Sequence, residues 1–175
     1  MNLAHSQIAA EKIRLLVLDV DGVLTDGSIY YSNSGDELKA FNIQDGLGIK
    51  LLQGAGIEVA IITGRSSNLL SRRTNELGID KVIQGREDKL TALNELLADS
   101  AYELDEIAYM GDDLPDLAVI RRVGLGMTVA NASPTVAEYA RWQSSRDGGR
   151  GAVREAAEFI LKAQGKFAQA IEPFL

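Results

Sequence analysis

The sequence predicts an α/β fold, a three-layer sandwich built around a mainly parallel sheet. Three observations carry that expectation. Short apolar runs alternate with amphipathic stretches, the rhythm of strand–helix–strand units. The run Leu15-Leu16-Val17-Leu18 shows no polar alternation, which suits a strand covered on both faces. The chain has 175 residues, 46% apolar and 25% charged, which fits one domain over residues 1–175 with a real core.

Taken in order, the first strand is 15–18. Residues 28–42 then break the rhythm. Ile29-Tyr30-Tyr31 and Leu38-Lys39-Ala40-Phe41 flank a turn-rich Ser32-Asn33-Ser34-Gly35-Asp36, so a projecting β-hairpin is expected. A second buried strand is Glu58-Val59-Ala60-Ile61-Ile62. A helix over 66–77 follows, with Leu69, Leu70, Arg73 and Leu77 on one side and Gly78 to end it. Lys81-Val82-Ile83 is a weaker strand, and 87–98 repeats the helical pattern through Leu90, Leu93, Leu96 and Leu97. Strands at 106–110 and 124–129 alternate with short helices at 113–122 and 134–140. Residues 144–151 are polar and glycine-rich and read as a mobile loop. The helix at 152–163 follows, so 144–175 forms a flexible loop with a C-terminal helix and tail. No internal repeat is present.

Composition removes most chemistries. There is no cysteine, which excludes disulfides, iron–sulfur clusters, thiolate zinc and cysteine nucleophiles. The single histidine, His5, lies near the N-terminus, so histidine metal sites and most histidine-based triads are excluded as well. The 25 acids against 18 bases give a net charge of −7, which argues against nucleic acid as a partner. The first apolar stretch is interrupted by Arg14 and Asp19, and no run approaches the ~20 apolar residues of a membrane span. A cytoplasmic protein with no membrane partner is expected. Carboxylates, hydroxyls, lysines and arginines remain for catalysis.

In open parallel sheets, ligands bind beyond the carboxyl ends of the strands. Those ends here run into Asp19-Val20-Asp21-Gly22-Val23-Leu24-Thr25-Asp26, Thr63-Gly64-Arg65, a helix beginning near Lys89, and Gly111-Asp112-Asp113-Leu114-Pro115-Asp116. Asp19 and Asp21, two residues apart in extended chain, point to the same side. Several carboxylates in one desolvated crevice raise each other's pKa unless a cation neutralises them. Oxygen-only donors favour Mg²⁺. Thr63 and Lys89 would then offer a hydroxyl and a cation to phosphate oxygens. Each piece also has an ordinary use: Asp-x-Asp-Gly as a strand-to-turn junction, Asp112 or Asp113 as a helix cap, Thr63-Gly64 as a loop. Lys89 fits less easily, because a cation in a first helical turn opposes the macrodipole. Six acids lie in the first and last of these segments, and setting them aside leaves 19 acids against 18 bases.

These four segments, in this order, resemble the motifs of the haloacid dehalogenase superfamily of aspartyl phosphatases, from about Ile13 to the C-terminus. The resemblance implies a Rossmann-like fold. Only about 40 residues separate the first two motifs, which resembles the capless branch without a lid domain. Residues 19–27, the hairpin, Asp45-Gly46-Leu47-Gly48, Thr63-Gly64-Arg65 and Gly148-Gly149-Arg150-Gly151-Ala152-Val153-Arg154-Glu155 narrow it to members that release phosphate from an eight-carbon sugar-acid phosphate in lipopolysaccharide synthesis. By that resemblance Asp19 is the nucleophile and Asp21 the general acid and base. Mg²⁺ is held by Asp19, the Asp21 carbonyl and Asp112. Thr63 and Lys89 bind the phosphoryl group, and Asp113 and Asp116 support the metal waters or Lys89. Arg65, Arg86, Arg150 and Arg154 are candidates for the substrate carboxylate, with Arg65 foremost because it follows the second motif. Relatives imply a homotetramer in which neighbouring subunits close each site. The competing expectations are a nine-carbon sialic-type substrate, a receiver-like phosphoacceptor domain, or a non-catalytic relative. The paired Asp-x-Asp and the chain length disfavour the receiver, and intact acids disfavour the last.

Overall fold

The structure is a computed structural model, and it describes residues 3–175. Four fully buried residues make β1 (Leu15–Leu18) the centre of the molecule. It pairs in parallel with β4 (Glu58–Ile62) on one side and β6 (Ile107–Met110) on the other. With β5 (Lys81–Ile83), β7 (Leu125–Thr128) and β8 (Trp142–Gln143), these form one six-stranded parallel sheet in the order β5-β4-β1-β6-β7-β8. Side chains alternate across β1. Leu16 and Leu18 join one core layer, whereas Leu15 and Val17 join the other.

The first layer is covered by α1 (Leu3–Ala10), α2 (Ile43–Gly54) and α7 (Ala152–Ala163). The second is covered by α4 (Lys89–Leu97), α5 (Leu117–Ile120) and α6 (Pro134–Tyr139). Helix α3 (Asn68–Leu77) starts at Ser67, whose hydroxyl accepts from the Leu69 N–H, and ends at Gly78 in the left-handed region, φ +66°. The α/β three-layer expectation therefore holds, and the hairpin is present as β2 (Tyr30–Tyr31) and β3 (Glu37–Leu38), antiparallel.

Among the described residues, the helices α1, α2 and α8 (Phe167–Ile171), the strand β8 and the 3₁₀ turns Leu104–Glu106 and Glu172–Phe174 were not anticipated. The helix expected over 113–122 is split into a 3₁₀ turn, Leu114–Asp116, and α5. Residues 144–151, read from composition as mobile, are tied in place. Glu155 accepts from Ser144 Oγ and from the Ser145 N–H, the Gly148 N–H donates to Asn131 Oδ1, and the Gly149 N–H donates to the Val23 carbonyl. Glycine there serves close packing rather than flexibility. A Cβ on Gly148 would stand 1.7 Å from the Gly22 carbonyl oxygen.

Candidate active site

The register Ile61–Leu18–Met110 puts the carboxyl ends of β4, β1 and β6 level. The next residues out along β1 and β6 are Asp19 and Gly111, with Asp112 beyond, and Thr63 follows Ile62 at the end of β4. Strand order also reverses between β1 and β6, where open α/β sheets leave a crevice. A cleft of about 590 Å³ lies there, lined by Asp19, Asp21, Thr63, Gly64, Arg65, Glu87, Lys89 and Pro115.

Lys89 organises the floor. Asp88 caps α4 and accepts from the Thr91 N–H, which fixes the first helical turn. From that turn the Lys89 ammonium reaches Asp19 at 2.9 Å and Asp116 at 2.6 Å. All three are buried. Burial works to lower the Lys89 pKa, but the charges of Asp19 and Asp116 outweigh it and the net shift is upward. Lys89 therefore stays charged. The cost of a cation at a helix N-terminus is offset by two carboxylates.

Burial and the charge of Asp116 push Asp19 up to about 7, with Lys89 holding it down. Asp112 is pushed to about 6, again by burial first and Asp116 second. Asp116 is saturated. It accepts from Lys89, from the Tyr109 hydroxyl, and from the N–H groups of Asp112 and Asp113. Burial and the nearby acids drive the Tyr109 hydroxyl well above its ordinary pKa, so it remains a donor. Gly111 is required beside it, because a Cβ there would meet the Asp116 carboxyl at 2.3 Å.

Carboxylate oxygens of Asp19, Asp112 and Asp116 lie within 4.8 Å of one another. Because Asp116 is spent on four donors, Asp19 and Asp112 are the pair able to face a cation. Space is reserved for Asp112. Gly22 sits at φ +92°, and a Cβ on it would stand 2.1 Å from Asp112 Oδ2. Mutually repelling oxygen donors with raised pKa values fit a hard divalent cation.

The rim is built differently. Asp21 forms an ion pair with Lys39, whose side chain is buried although it belongs to the hairpin segment. Lys39 also lies 3.7 Å from Glu37. Arg65 approaches Asp21 at 3.7 Å and donates to Glu37 at 3.2 Å. Its pKa is raised, most of all by a hydrogen bond with Tyr31 and then by Glu37.

Of the four arginines expected to meet substrate, the structure brings only Arg65 to the cleft. Arg86 is turned to Glu95 in a bidentate pair at 2.8 and 2.6 Å. Arg154 donates to Glu158 at 2.8 Å along α7. Arg150 is exposed, 3.8 Å from Asp26 outside the pocket. Asp113 is solvent-facing at the start of the 3₁₀ turn. Sequence reasoning missed Lys39, Glu37, Tyr31 and Tyr109. A lysine set between Leu38 and Ala40, just after the hairpin, was the one available signal for the rim.

Comparison with known proteins agrees with this geometry. Residues 78–154 match the haloacid dehalogenase-like hydrolases. The 3-deoxy-D-manno-octulosonate 8-phosphate phosphatase of Yersinia pestis is 52% identical over 157 residues, 90% of this chain and 84% of that protein. The crystal structure of the Moraxella catarrhalis phosphatase of the same name, in complex with magnesium, phosphate and 3-deoxy-D-manno-octulosonate (KDO), superposes with a TM-score of 0.97. It is 46% identical, over 99% of this chain and 100% of that one. A probable YrbI-family phosphatase from Pseudomonas syringae pv. phaseolica gives 0.96 at 49% identity, over 98% and 97% of the two chains.

Proposed function

The chain belongs to the haloacid dehalogenase-like hydrolases, among the 3-deoxy-D-manno-octulosonate 8-phosphate phosphatases, and on that premise we propose that it hydrolyses this sugar-acid phosphate with Mg²⁺, by way of an aspartyl-phosphate. The observation that carries the reading is the buried Lys89 ammonium between Asp19 and Asp116, at the foot of a cleft whose other donors are oxygens.

Asp19 attacks phosphorus, the bond from phosphorus to the sugar oxygen breaks, and the phosphoryl group is left on the Asp19 carboxylate. Asp21 gives its proton to the leaving sugar oxygen. It then takes a proton from the water that opens the acyl phosphate. Lys89 and the Thr63 hydroxyl bind the equatorial phosphoryl oxygens, and Asp116 with Tyr109 keeps Lys89 aimed. Asp19, the Asp21 carbonyl and Asp112 would hold Mg²⁺, which supplies positive charge to the phosphoryl oxygens. Arg65 takes the sugar carboxylate, exchanging Glu37 for the substrate.

The rim suggests assembly. A hairpin of two residue pairs is marginal alone, and Ile29, Tyr30, Tyr31 and Leu38 are exposed on it, as is Ile43 at the start of α2. These residues support a homotetramer in which neighbours cover the hairpins and close the clefts against water. No helix among the described residues is long and apolar enough to cross a membrane. A cytoplasmic role in lipopolysaccharide synthesis is part of the same proposal, from the resemblance to the phosphatases named above.

Phosphate release across a panel of sugar phosphates tests the reading. The eight-carbon sugar-acid 8-phosphate is expected to give the highest kcat/KM, with EDTA abolishing turnover and Mg²⁺ restoring it. Preference for a nine-carbon sialic-type 9-phosphate would replace the substrate and keep the chemistry. Chelator-resistant turnover would sink the metal-assisted mechanism.

A further inference from the structure

Asp45-Gly46-Leu47-Gly48 and the segment Gly148 to Glu155 stand out in the sequence, yet no step of the reaction above touches them. The structure joins them. Asp45 lies in the first turn of α2, buried to 1% exposure, and its carboxylate does not serve its own helix. It crosses to the N-terminus of α7 instead, accepting from the Arg154 N–H at 2.8 Å and the Gly151 N–H at 3.2 Å. Gly48 permits that approach, because a Cβ there would lie 2.9 Å from Arg154 Cα.

The chain entering α7 is in turn pressed on the loop that follows the nucleophile. The Gly149 N–H donates to the Val23 carbonyl at 2.9 Å. A Cβ on Gly149 would stand 2.5 Å from the Thr25 carbonyl carbon, and one on Gly148 would meet the Gly22 carbonyl oxygen. Two side chains hold this glycine pair from outside. Asn131 accepts from the Gly148 N–H at 3.0 Å, and Asn42 donates to the Gly149 carbonyl at 3.3 Å. Gly22 is thus held between Gly148 on one side and the Asp112 carboxylate on the other. One set of contacts runs from Asp45, through the chain entering α7, to Gly22, which follows the Asp21 carbonyl in the chain and packs on the Asp112 carboxylate.

We propose that Asp45 is a positioning residue for the phosphatase reaction: by anchoring the first turn of α7 it seats Gly148 and Gly149 against residues 22–25 and fixes the separation of the Asp21 carbonyl from Asp112. The inference rests on the reading of the active site given above. Asp45→Asn keeps the shape and removes the charge that grips two N–H groups. Groups that orient metal ligands from behind typically change metal affinity by about 10–100-fold.

The test is calorimetric titration of Mg²⁺ into the full-length protein, together with kcat, KM and thermal melting. Asp45→Asn is expected to weaken Mg²⁺ binding by about 10-fold and lower kcat at saturating Mg²⁺, with substrate KM little changed. Asn131→Ala, a surface change that loosens the same glycines, is expected to shift Mg²⁺ affinity the same way by a smaller factor. Wild-type affinity in that variant would break the link from the glycines to the cation and overturn the proposal, even if Asp45→Asn does not fold. A lower melting temperature with wild-type Mg²⁺ affinity and wild-type kcat would make Asp45 a helix cap only and overturn the proposal. Failure of the wild-type protein to release phosphate from any sugar phosphate would instead overturn the underlying reading.

Discussion

The floor and the rim of the cleft are made from the same residue types and behave as opposites. On the floor, Asp19, Lys89, Asp116 and Tyr109 are buried, and every charge has a fixed opposite within hydrogen-bond reach. On the rim, Asp21, Glu37 and Arg65 are partly exposed, and apart from the close Lys39–Asp21 pair the contacts are looser, Lys39 to Glu37 and Arg65 to Asp21 at 3.7 Å and Arg65 to Glu37 at 3.2 Å. Pairing deep in the protein is costly to disturb, whereas exposed pairs contribute little and exchange partners readily. In the proposed mechanism the difference divides the labour: the floor would hold the reacting group and the rim would accommodate what varies, the sugar.

Substitutions on the two layers should therefore separate in kinetics. The largest effect is expected on the floor. Asp19→Asn removes the proposed nucleophile and should lower turnover by at least about 10⁴-fold while the protein still folds. Asp21→Asn lies at the junction of the layers and should lower kcat by about 10²–10⁴. Unchanged turnover there would remove Asp21 from acid–base chemistry. Arg65→Lys keeps the charge and loses the planar fork. It should raise KM about 10-fold for the sugar-acid phosphate and leave hydrolysis of an aryl phosphate unaltered. A fall in kcat on both substrates would erase the distinction between floor and rim.

Smaller, but specific to the floor, is a pH effect on the metal-free protein. Asp19 at about 7 and Asp112 at about 6 both stand above their unfolded value of 3.8. Between those limits the folded state holds protons that the unfolded state has lost, so this contribution to stability falls as pH rises through the window. EDTA-treated protein should accordingly gain more melting temperature from added Mg²⁺ at pH 8 than at pH 5. An equal gain at both values would contradict the placement of these carboxylates at the cation.

Legibility followed the same division. Asp19, Asp21, Thr63, Lys89 and Asp112 could be found in the sequence because each follows or faces a strand end, and a buried parallel strand announces itself as an apolar run. The rim could not be found this way. Lys39 and Glu37 meet Asp21 and Arg65 only because the hairpin folds back over the cleft, and nothing local encodes that return. Helix α2 was hidden for another reason. Gly46 and Gly48 each disfavour a helix by roughly 1 kcal/mol, and the contact with α7 that offsets this cost involves residues more than a hundred positions away. Residues 144–151 failed likewise, since glycine for close approach and glycine for flexibility are the same letter.

In the proposed reaction, phosphate passes through Asp19. Rapid quenching of the protein during turnover, followed by borohydride reduction and peptide mass analysis, reads it directly. Reduction of an acyl phosphate at Asp19 to homoserine is the expected result. Phosphate release without any trapped species, or modification at Asp112 in place of Asp19, would rule out Asp19 as the nucleophile.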